Sequence, residues 1–223
     1  MVFIKYINYS VDHINMEDKK YWDNYWVDNK EKHTFFNTLV DFARKYYFAR
    51  AFAAFLDKNY PVAGKSVCEI GSGSGLTLSY LKKMGARECT GIDYSEEAVK
   101  YAQANIKDCK FSVGDAFNLS SIPEKSFDIV YSLGFLEHYN RDEQKKLLAE
   151  QSRLARECVF IEVPYNSPHM SLLCYLNRKS GRTTTFSDEE LFSPKTFREL
   201  GLTGKTKLMP NTFFITIGHF EHL

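Results

Sequence analysis

Three acidic residues stand at or near the ends of successive apolar runs, and a glycine-rich turn follows the first of them. Glu69 precedes the turn Gly71-Ser72-Gly73-Ser74-Gly75, Asp93 ends the second run, and Asp115 follows the third. A buried acid requires a partner such as an ammonium or a backbone amide, and glycine lets a ligand approach the backbone closely. A helix that begins after such a turn directs unpaired N–H groups at the ligand. The pattern predicts a nucleotide-binding site.

The spacing of the glycines excludes two common nucleotide-binding motifs. The dinucleotide fingerprint requires a third glycine where this chain has Leu76, and a P-loop requires Lys-Ser/Thr where it has Leu76-Thr77. A nicotinamide-dependent reductase is therefore disfavoured. The triple-glycine turn taken alone is equally compatible with a turn that has no ligand.

Apolar runs alternate with helical periodicity in the middle of the chain. The predicted strands are residues 66–70, 89–93, 110–113, 127–132 and 158–163. This alternation indicates a doubly wound parallel α/β sheet, in which ligands bind beyond the carboxyl ends of the strands. Residues 205–209 and 212–217 flank the turn signal Pro210-Asn211 and predict a closing antiparallel pair.

Two segments lie outside this alternation of strands and helices. Residues 1–60 are predicted to form a helical and aromatic cap on the main domain, 61–223. The N-terminal aromatic residues, Tyr21 and Trp26 among them, suit a cover over a cofactor or an apolar staple to the sheet. Residues 165–192 are predicted to form a lid insertion that shapes an acceptor pocket.

Composition narrows the class of partner. The 223 residues carry 29 basic and 28 acidic side chains, so the basic surplus typical of a nucleic-acid binder is absent. No apolar run reaches the length of a membrane span, and the N-terminus lacks the pattern of a signal peptide. Five cysteines without metal-ligand spacing predict a reduced, cytoplasmic protein with no metal site.

Taken together, the strand ends resemble those of the class I S-adenosylmethionine-dependent methyltransferases, and specifically the small-molecule group with Leu-Glu-His after strand four. The resemblance covers residues 64–163, 191–200 and the final strand pair. It implies a Rossmann-like sheet of seven strands in the order 3-2-1-4-5-7-6, with strand 7 antiparallel. It also implies S-adenosyl-L-methionine as cofactor and S-adenosyl-L-homocysteine as product.

The resemblance assigns cofactor contacts to the glycine turn and to the strand ends. The assigned residues are Glu69, Gly71, Ser72, Gly73 and Gly75 for the methionine moiety, Asp93 for the ribose hydroxyls, Tyr94 for the adenine face, Asp115 and Ala116 for the adenine edge, Ser132 and Leu133 for the amino-acid end, and Trp26 as a cover.

The chemistry implied is an in-line methyl transfer to oxygen or nitrogen of a small molecule. Glu137 and His138 are the predicted catalytic residues, because an imidazole with an unperturbed pKa near ~6.5 suits a general base. A structural alternative for His138 is a hydrogen bond to a carbonyl. Tyr165, His169 and Tyr21 are the predicted substrate contacts. Ser132 begins the segment where methyltransferases of bases or glutamine carry Asn-Pro-Pro-Tyr, so those acceptors are disfavoured.

Two other functions remain open from the sequence. A catalytically silent module that binds S-adenosylmethionine and regulates a partner would carry the same cofactor residues. The second is a nicotinamide-dependent reductase, although the missing third glycine and the acid at position 115 count against it. The sequence does not identify the acceptor, and it leaves both a monomer and a homodimer open.

Overall fold

Strands and helices alternate through the described part of the chain. The computed structural model describes residues 35–179, 190–209 and 216–223. In order, the elements are α1 (Phe35–Asn59), β1 (Ser66–Ile70), α2 (Leu76–Lys83), β2 (Glu88–Asp93), α3 (Glu96–Asn105), β3 (Lys110–Val113), β4 (Phe127–Leu133), a 3-10 turn (Leu136–His138), α4 (Arg141–Leu154), β5 (Ala155–Pro164), α5 (Pro168–Lys179), α6 (Pro194–Glu199), β6 (Lys205–Met209) and β7 (Thr216–His222).

The strands form one seven-stranded sheet in the order β3-β2-β1-β4-β5-β7-β6. Strands β1 to β5 are parallel, and β7 runs antiparallel to both of its neighbours. This confirms the predicted topology. The parallel strands end at one edge, so the residues that follow β1, β2, β3 and β4 are brought to the same side of the domain.

The last strand extends beyond residue 217, its predicted end, and residues 212–215 of that prediction lie outside the described residues. Its described part runs from Thr216 to His222, because the segment after residue 217 pairs with β5, with Phe220 opposite Phe160. The Phe160 and Phe220 rings stack with centroids 4.5 Å apart. Tertiary pairing therefore makes a strand of a polar tail that shows little local strand preference.

Side-chain alternation divides the sheet into two apolar faces. On β5, Phe160 faces the cluster covered by α1 and α2, whereas Ile161 and Val163 face the cluster covered by α4 and α6. The Phe55 ring of α1 lies 6.1 Å from Phe160, between ring centroids. Helix α1 thus packs against the sheet on the face that also carries Glu69.

At the amino edge of the sheet, opposite the predicted site, Asp128 organises a polar network. Its carboxylate accepts hydrogen bonds from the Ser66 N–H at 2.8 Å and hydroxyl at 2.9 Å, and from Arg156 at 2.8 Å. These donors outweigh burial and lower the pKa of Asp128 to about 2. The network fixes the starts of β1, β4 and β5 relative to one another.

None of the helices in the described ranges is long and apolar enough to cross a membrane. The five cysteines are free thiols. No cluster of three or more potential metal ligands occurs among the residues that the structure covers.

Candidate active site

The glycine turn is tied to the neighbouring strand through main-chain hydrogen bonds. The N–H groups of Gly71 and Ser72 donate to the Ile92 carbonyl at 2.9 and 3.1 Å. Gly71, Gly73 and Gly75 have φ values of 72°, 47° and 69°, in the left-handed region that favours glycine. The turn therefore holds a conformation that other residues adopt only with strain, directly above the ends of β1 and β2.

Packing is a second reason why two of these positions require glycine. A Cβ atom at Gly71 would lie 2.7 Å from the Phe135 ring, and one at Gly75 would lie 2.4 Å from the Phe111 ring. Both separations are far shorter than a carbon–carbon van der Waals contact. Aromatic rings thus close directly onto the backbone of the turn.

Asp93 is held in place by two main-chain donors. Its Oδ2 accepts the Gly73 N–H at 2.7 Å and its Oδ1 accepts the Ser95 N–H at 2.9 Å. A carboxylate offers about four acceptor positions, so these two bonds do not exhaust its capacity. The glycine turn and the end of β2 are thereby joined through the acid predicted to bind ribose.

Glu69 is a buried acid with an aromatic hydroxyl beside it. It is 4% exposed, and Tyr131 donates its hydroxyl to Oε2 at 3.0 Å. Burial raises the pKa of Glu69 well above its usual value, the Tyr131 hydrogen bond opposes that shift, and the nearby Asp93 charge reinforces it. A cation at this place would favour the ionised form.

The other predicted cofactor residues occupy the same edge. Asp115 is exposed and its Oδ1 accepts the Phe117 N–H at 2.9 Å, so a local turn orients it. Ala116 follows it, half-buried, and Tyr94 is 43% exposed after β2. These positions agree with an adenine-binding role, which stays a prediction.

The end of β4 offers main chain rather than side chain to a ligand. Ser132 is buried and its hydroxyl lies 3.4 Å from the Gln151 side chain of α4, on the other face of the sheet. Leu133 is half-buried and packs against the apolar cluster beneath α1. The backbone contact predicted for Ser132 is compatible with this burial and stays a prediction.

The 3-10 turn places Glu137 and His138 immediately beyond β4. Glu137 is 4% exposed, and Gly134, with φ of 55°, lies beside its carboxyl group. Burial lowers the pKa of His138, against a hydrogen bond to the Gly134 backbone. The structure thus contains the carbonyl hydrogen bond, and it also keeps the imidazole neutral near pH 7, as a general base requires.

The two ends of the predicted lid meet beside this turn. Tyr165 forms a parallel bridge with Phe192, and the Phe192 N–H donates to the Pro164 carbonyl at 2.8 Å. His169 is exposed at the start of α5, with Nδ1 3.1 Å from the Ser167 hydroxyl. Helix α5 within this segment lacks a strong sequence signal. Residues 180–189, like Tyr21 and Trp26, lie outside the described residues.

Two residues near the site were missed by sequence reasoning. Phe135 covers Gly71, and its ring lies 5.2 Å from that of Tyr139. Glu162 is a single acid within the apolar run of β5, and it is 2% exposed. The isolated acid was a usable signal for Glu162, whereas the ring contact of Phe135 depends on tertiary packing alone.

Comparisons with known proteins agree with this geometry. Residues 68–159 match a family described as "Methyltransferase domain". The chain is 34% identical over 97 residues to norajmaline N-methyltransferase of Rauvolfia serpentina, covering 41% of this chain and 32% of that one. It is 33% identical over 81 residues to ribosomal protein L11 methyltransferase of Thermotoga petrophila, covering 36% and 31%. The chain thus matches about a third of the length of these relatives.

Among solved structures, the chain is similar to magnesium protoporphyrin IX methyltransferase of Synechocystis PCC 6803, crystallised with bound S-adenosylhomocysteine. The TM-score is 0.70 at 18% identity, over 92% of this chain and 97% of that one. This likeness shows the fold. The matched segment spans the glycine turn and the ends of β2, β3 and β4, so residues 68–159 carry a methyltransferase domain whose motif order and sheet topology agree with those of class I S-adenosylmethionine-dependent methyltransferases.

Proposed function

We propose that this domain binds S-adenosylmethionine across the carboxyl ends of β1, β2 and β3 and transfers its methyl group to oxygen or nitrogen of a small molecule. The observation that carries the proposal is the double anchoring of Asp93, which joins the glycine turn to the end of β2. That arrangement presents an oriented carboxylate next to a turn rich in N–H groups.

The chemistry of the site fits this cofactor. Asp93 suits two ribose hydroxyls as a bidentate acceptor. Glu69, whose pKa burial raises, suits an ammonium group that restores its charge. The Phe135 and Phe111 rings leave no room for a Cβ atom at Gly71 and Gly75, and glycine lets a ligand approach the backbone of the turn closely.

When bound, S-adenosylmethionine supplies a methyl group already activated by a positive sulfur. The chain then has to orient the acceptor and exclude water, and such alignment contributes up to ~7–11 kcal/mol. His138, neutral because burial lowers its pKa, is placed to accept the proton that an oxygen or nitrogen acceptor loses. Glu137, buried beside it, orients either the acceptor or the ring.

A small-molecule acceptor is supported by the enclosed position of this turn. The Glu190 N–H donates to the Glu137 carbonyl at 3.2 Å, and Arg141 forms an ion pair with Glu190. The carboxyl end of the lid segment therefore lies against the turn that carries the candidate base. The similarity to an L11 methyltransferase makes a protein acceptor the alternative to be tested.

Calorimetry tests the cofactor. We expect S-adenosylhomocysteine to bind and NAD not to bind. Replacing Asp93 with Ala removes two charge-assisted hydrogen bonds, each worth about 1.5–3 kcal/mol, so affinity should fall roughly 10²- to 10⁴-fold. The control is Asp108→Ala, an exposed acid between α3 and β3, which should bind like the wild type. Equal affinity of Asp93→Ala and wild type would refute the site.

Methyl transfer from radiolabelled S-adenosylmethionine tests the acceptor class. A panel of small amines, phenols and carboxylic acids is compared with purified ribosomal protein L11. Label in the small-molecule fraction supports the proposal, and label only in the protein refutes its acceptor. A protein that binds the cofactor but labels neither class would favour the silent binding module.

A further inference from the structure

Glu162 is a buried carboxyl group that the proposed function does not use. It lies near the carboxyl end of β5 and is 2% exposed. Side-chain alternation places it on the face of Phe160, the same face as Glu69 and Tyr131. The strand register sets it opposite Leu133, the last residue of β4. Glu162 therefore stands directly below the turn that carries the candidate base.

Its contacts lead to that turn. The Gly134 N–H donates both to Oε2 of Glu162, at 3.2 Å, and to its main-chain oxygen, at 3.0 Å. The Gly134 backbone also accepts the hydrogen bond from His138. One peptide thus links the buried acid to the imidazole.

In the part of the chain that the structure describes, neutral groups surround the carboxyl group of Glu162. Burial is the largest influence and raises its pKa to about 7, against the Gly134 N–H and the Thr216 hydroxyl of β7. From α1, the Phe55 ring packs over this part of β5, and Arg50 of that helix is exposed. The ionisation of Glu162 is consequently poised within the physiological range, where a nearby charge changes it most.

Among residues 35–179, 190–209 and 216–223, the other titratable groups on this side of the site do not supply a positive charge at neutral pH. Glu69 and Tyr131 face the same cluster from β1 and β4, and burial raises the pKa of each. Glu137 and His138 follow in the turn, and burial keeps His138 neutral. A cationic ligand is therefore the strongest available influence on Glu162.

We propose that Glu162 is a specificity-determining residue that distinguishes the sulfonium cofactor from its thioether product by charge. The inference rests on the proposed function. Glu162 is ionised opposite the sulfonium and takes up a proton once the site holds S-adenosylhomocysteine. It therefore favours the donor and lets the product leave.

The proton balance of the reaction agrees with this role. The methyl–sulfur bond breaks with its electron pair left on sulfur, and the acceptor lone pair forms the new bond. His138 first receives the proton that the acceptor loses, and one proton is finally bound by Glu162, which balances the loss of the sulfonium charge. No oxidant or further reactant is required.

The size of the effect follows from Coulomb's law. Unit charges ~7 Å apart at an effective dielectric constant of ~20 shift a pKa by about one to two units. If the neutral thioether leaves the pKa of Glu162 at the value of about 7 that burial gives it, the ratio of S-adenosylmethionine to S-adenosylhomocysteine affinities should rise roughly five- to tenfold between about pH 6 and pH 8. The ammonium and carboxylate common to both ligands cancel in this ratio.

Calorimetric titration of the full chain with each ligand at both pH values tests the proposal. The wild type should show the rise, and Glu162→Gln, which retains an acceptor for the Gly134 N–H, should show a constant ratio. Glu157→Gln is the matched control, the same substitution on the same strand at the amino edge, and should behave as the wild type. A wild-type ratio that does not change with pH overturns the inference, as does a rise that survives in Glu162→Gln.

A second measurement needs no variant. Titrations at pH 7 in two buffers of different ionisation enthalpy give the protons exchanged on binding. We expect about half a proton more to be released with S-adenosylmethionine than with S-adenosylhomocysteine, and equal values overturn the inference. Failure of S-adenosylhomocysteine to bind the wild type refutes the proposed function itself, whereas tight binding with a flat ratio refutes only the role of Glu162.

Discussion

Replacing Gly75 with Ala tests whether the glycine turn is set by packing as well as by backbone conformation. Gly75 has φ of 69°, and an added Cβ would lie 2.4 Å from the Phe111 ring. The left-handed conformation costs a residue with a Cβ about 1–2 kcal/mol. Overpacking against a buried ring adds about 1–3 kcal/mol. We therefore expect a loss of roughly 2–5 kcal/mol in the free energy of unfolding.

Gly64 provides a matched control for this substitution. It has φ of 76°, and a Cβ there would meet no atom within 4 Å. Gly64→Ala should thus lose only the conformational part, about 1–2 kcal/mol. Any effect of alanine on the unfolded chain is the same in both variants and cancels in their difference.

Urea unfolding followed by circular dichroism measures both variants. The double variant Gly75→Ala/Phe111→Leu should recover part of the loss, since the smaller side chain leaves room for the new methyl group, and the double-mutant cycle isolates that term. If Gly64→Ala lowers the free energy of unfolding as much as Gly75→Ala does, the contact with the Phe111 ring has no energetic role, and the claim that packing sets the turn is wrong. S-adenosylhomocysteine affinity should fall only in Gly75→Ala.

Two further substitutions test the supports of the site. Asp128→Asn should lower the free energy of unfolding by about 2 kcal/mol at pH 7, because the folded pKa of about 2 lies below the unfolded value of 3.8. The wild type loses this stability as the pH falls from about 4 to 2. Similar acid-unfolding curves for the two proteins would therefore contradict the prediction. Asn140→Ala should lower the free energy of unfolding by about 1 kcal/mol, because Asn140 caps α4 by accepting the Glu143 N–H at 3.1 Å. In thermal unfolding, Asn140→Asp should stay close to the wild type. An equal loss of stability in Asn140→Asp would exclude the cap as the cause.

The parallel half of the fold was predictable from local pattern. The predicted bounds of β1, β3 and β6 are confirmed, because short segments between turn signals leave few alternative registers. The positions of Asp93 and Asp115 then follow from topology, since parallel strands end at one edge. Anchoring of Asp93 by the Gly73 N–H was not predictable, because it depends on the φ angles of the turn.

Features that depend on contacts distant in sequence were not predictable. β5 begins at Ala155 rather than at residue 158, because Arg156 pairs with Asp128 and Glu157 with Lys65 across the sheet edge. Judged by local sequence alone, charged residues at the start of a strand predict a loop. The same limit applies to Glu162, whose importance lies in its burial and in the Gly134 N–H beside it.

The two edges of the sheet treat their carboxylates in opposite ways. At the amino edge, Asp128 and Glu157 are paired with basic side chains and their pKa values are lowered, so both stabilise the folded state at neutral pH. At the carboxyl edge, burial raises the pKa values of Glu69 and Glu162, so their ionisation opposes folding. A fold selected for stability alone would pair these acids or replace them with apolar residues. Their position at the edge where parallel strands present their ligands supports the proposal that a bound cation offsets the cost.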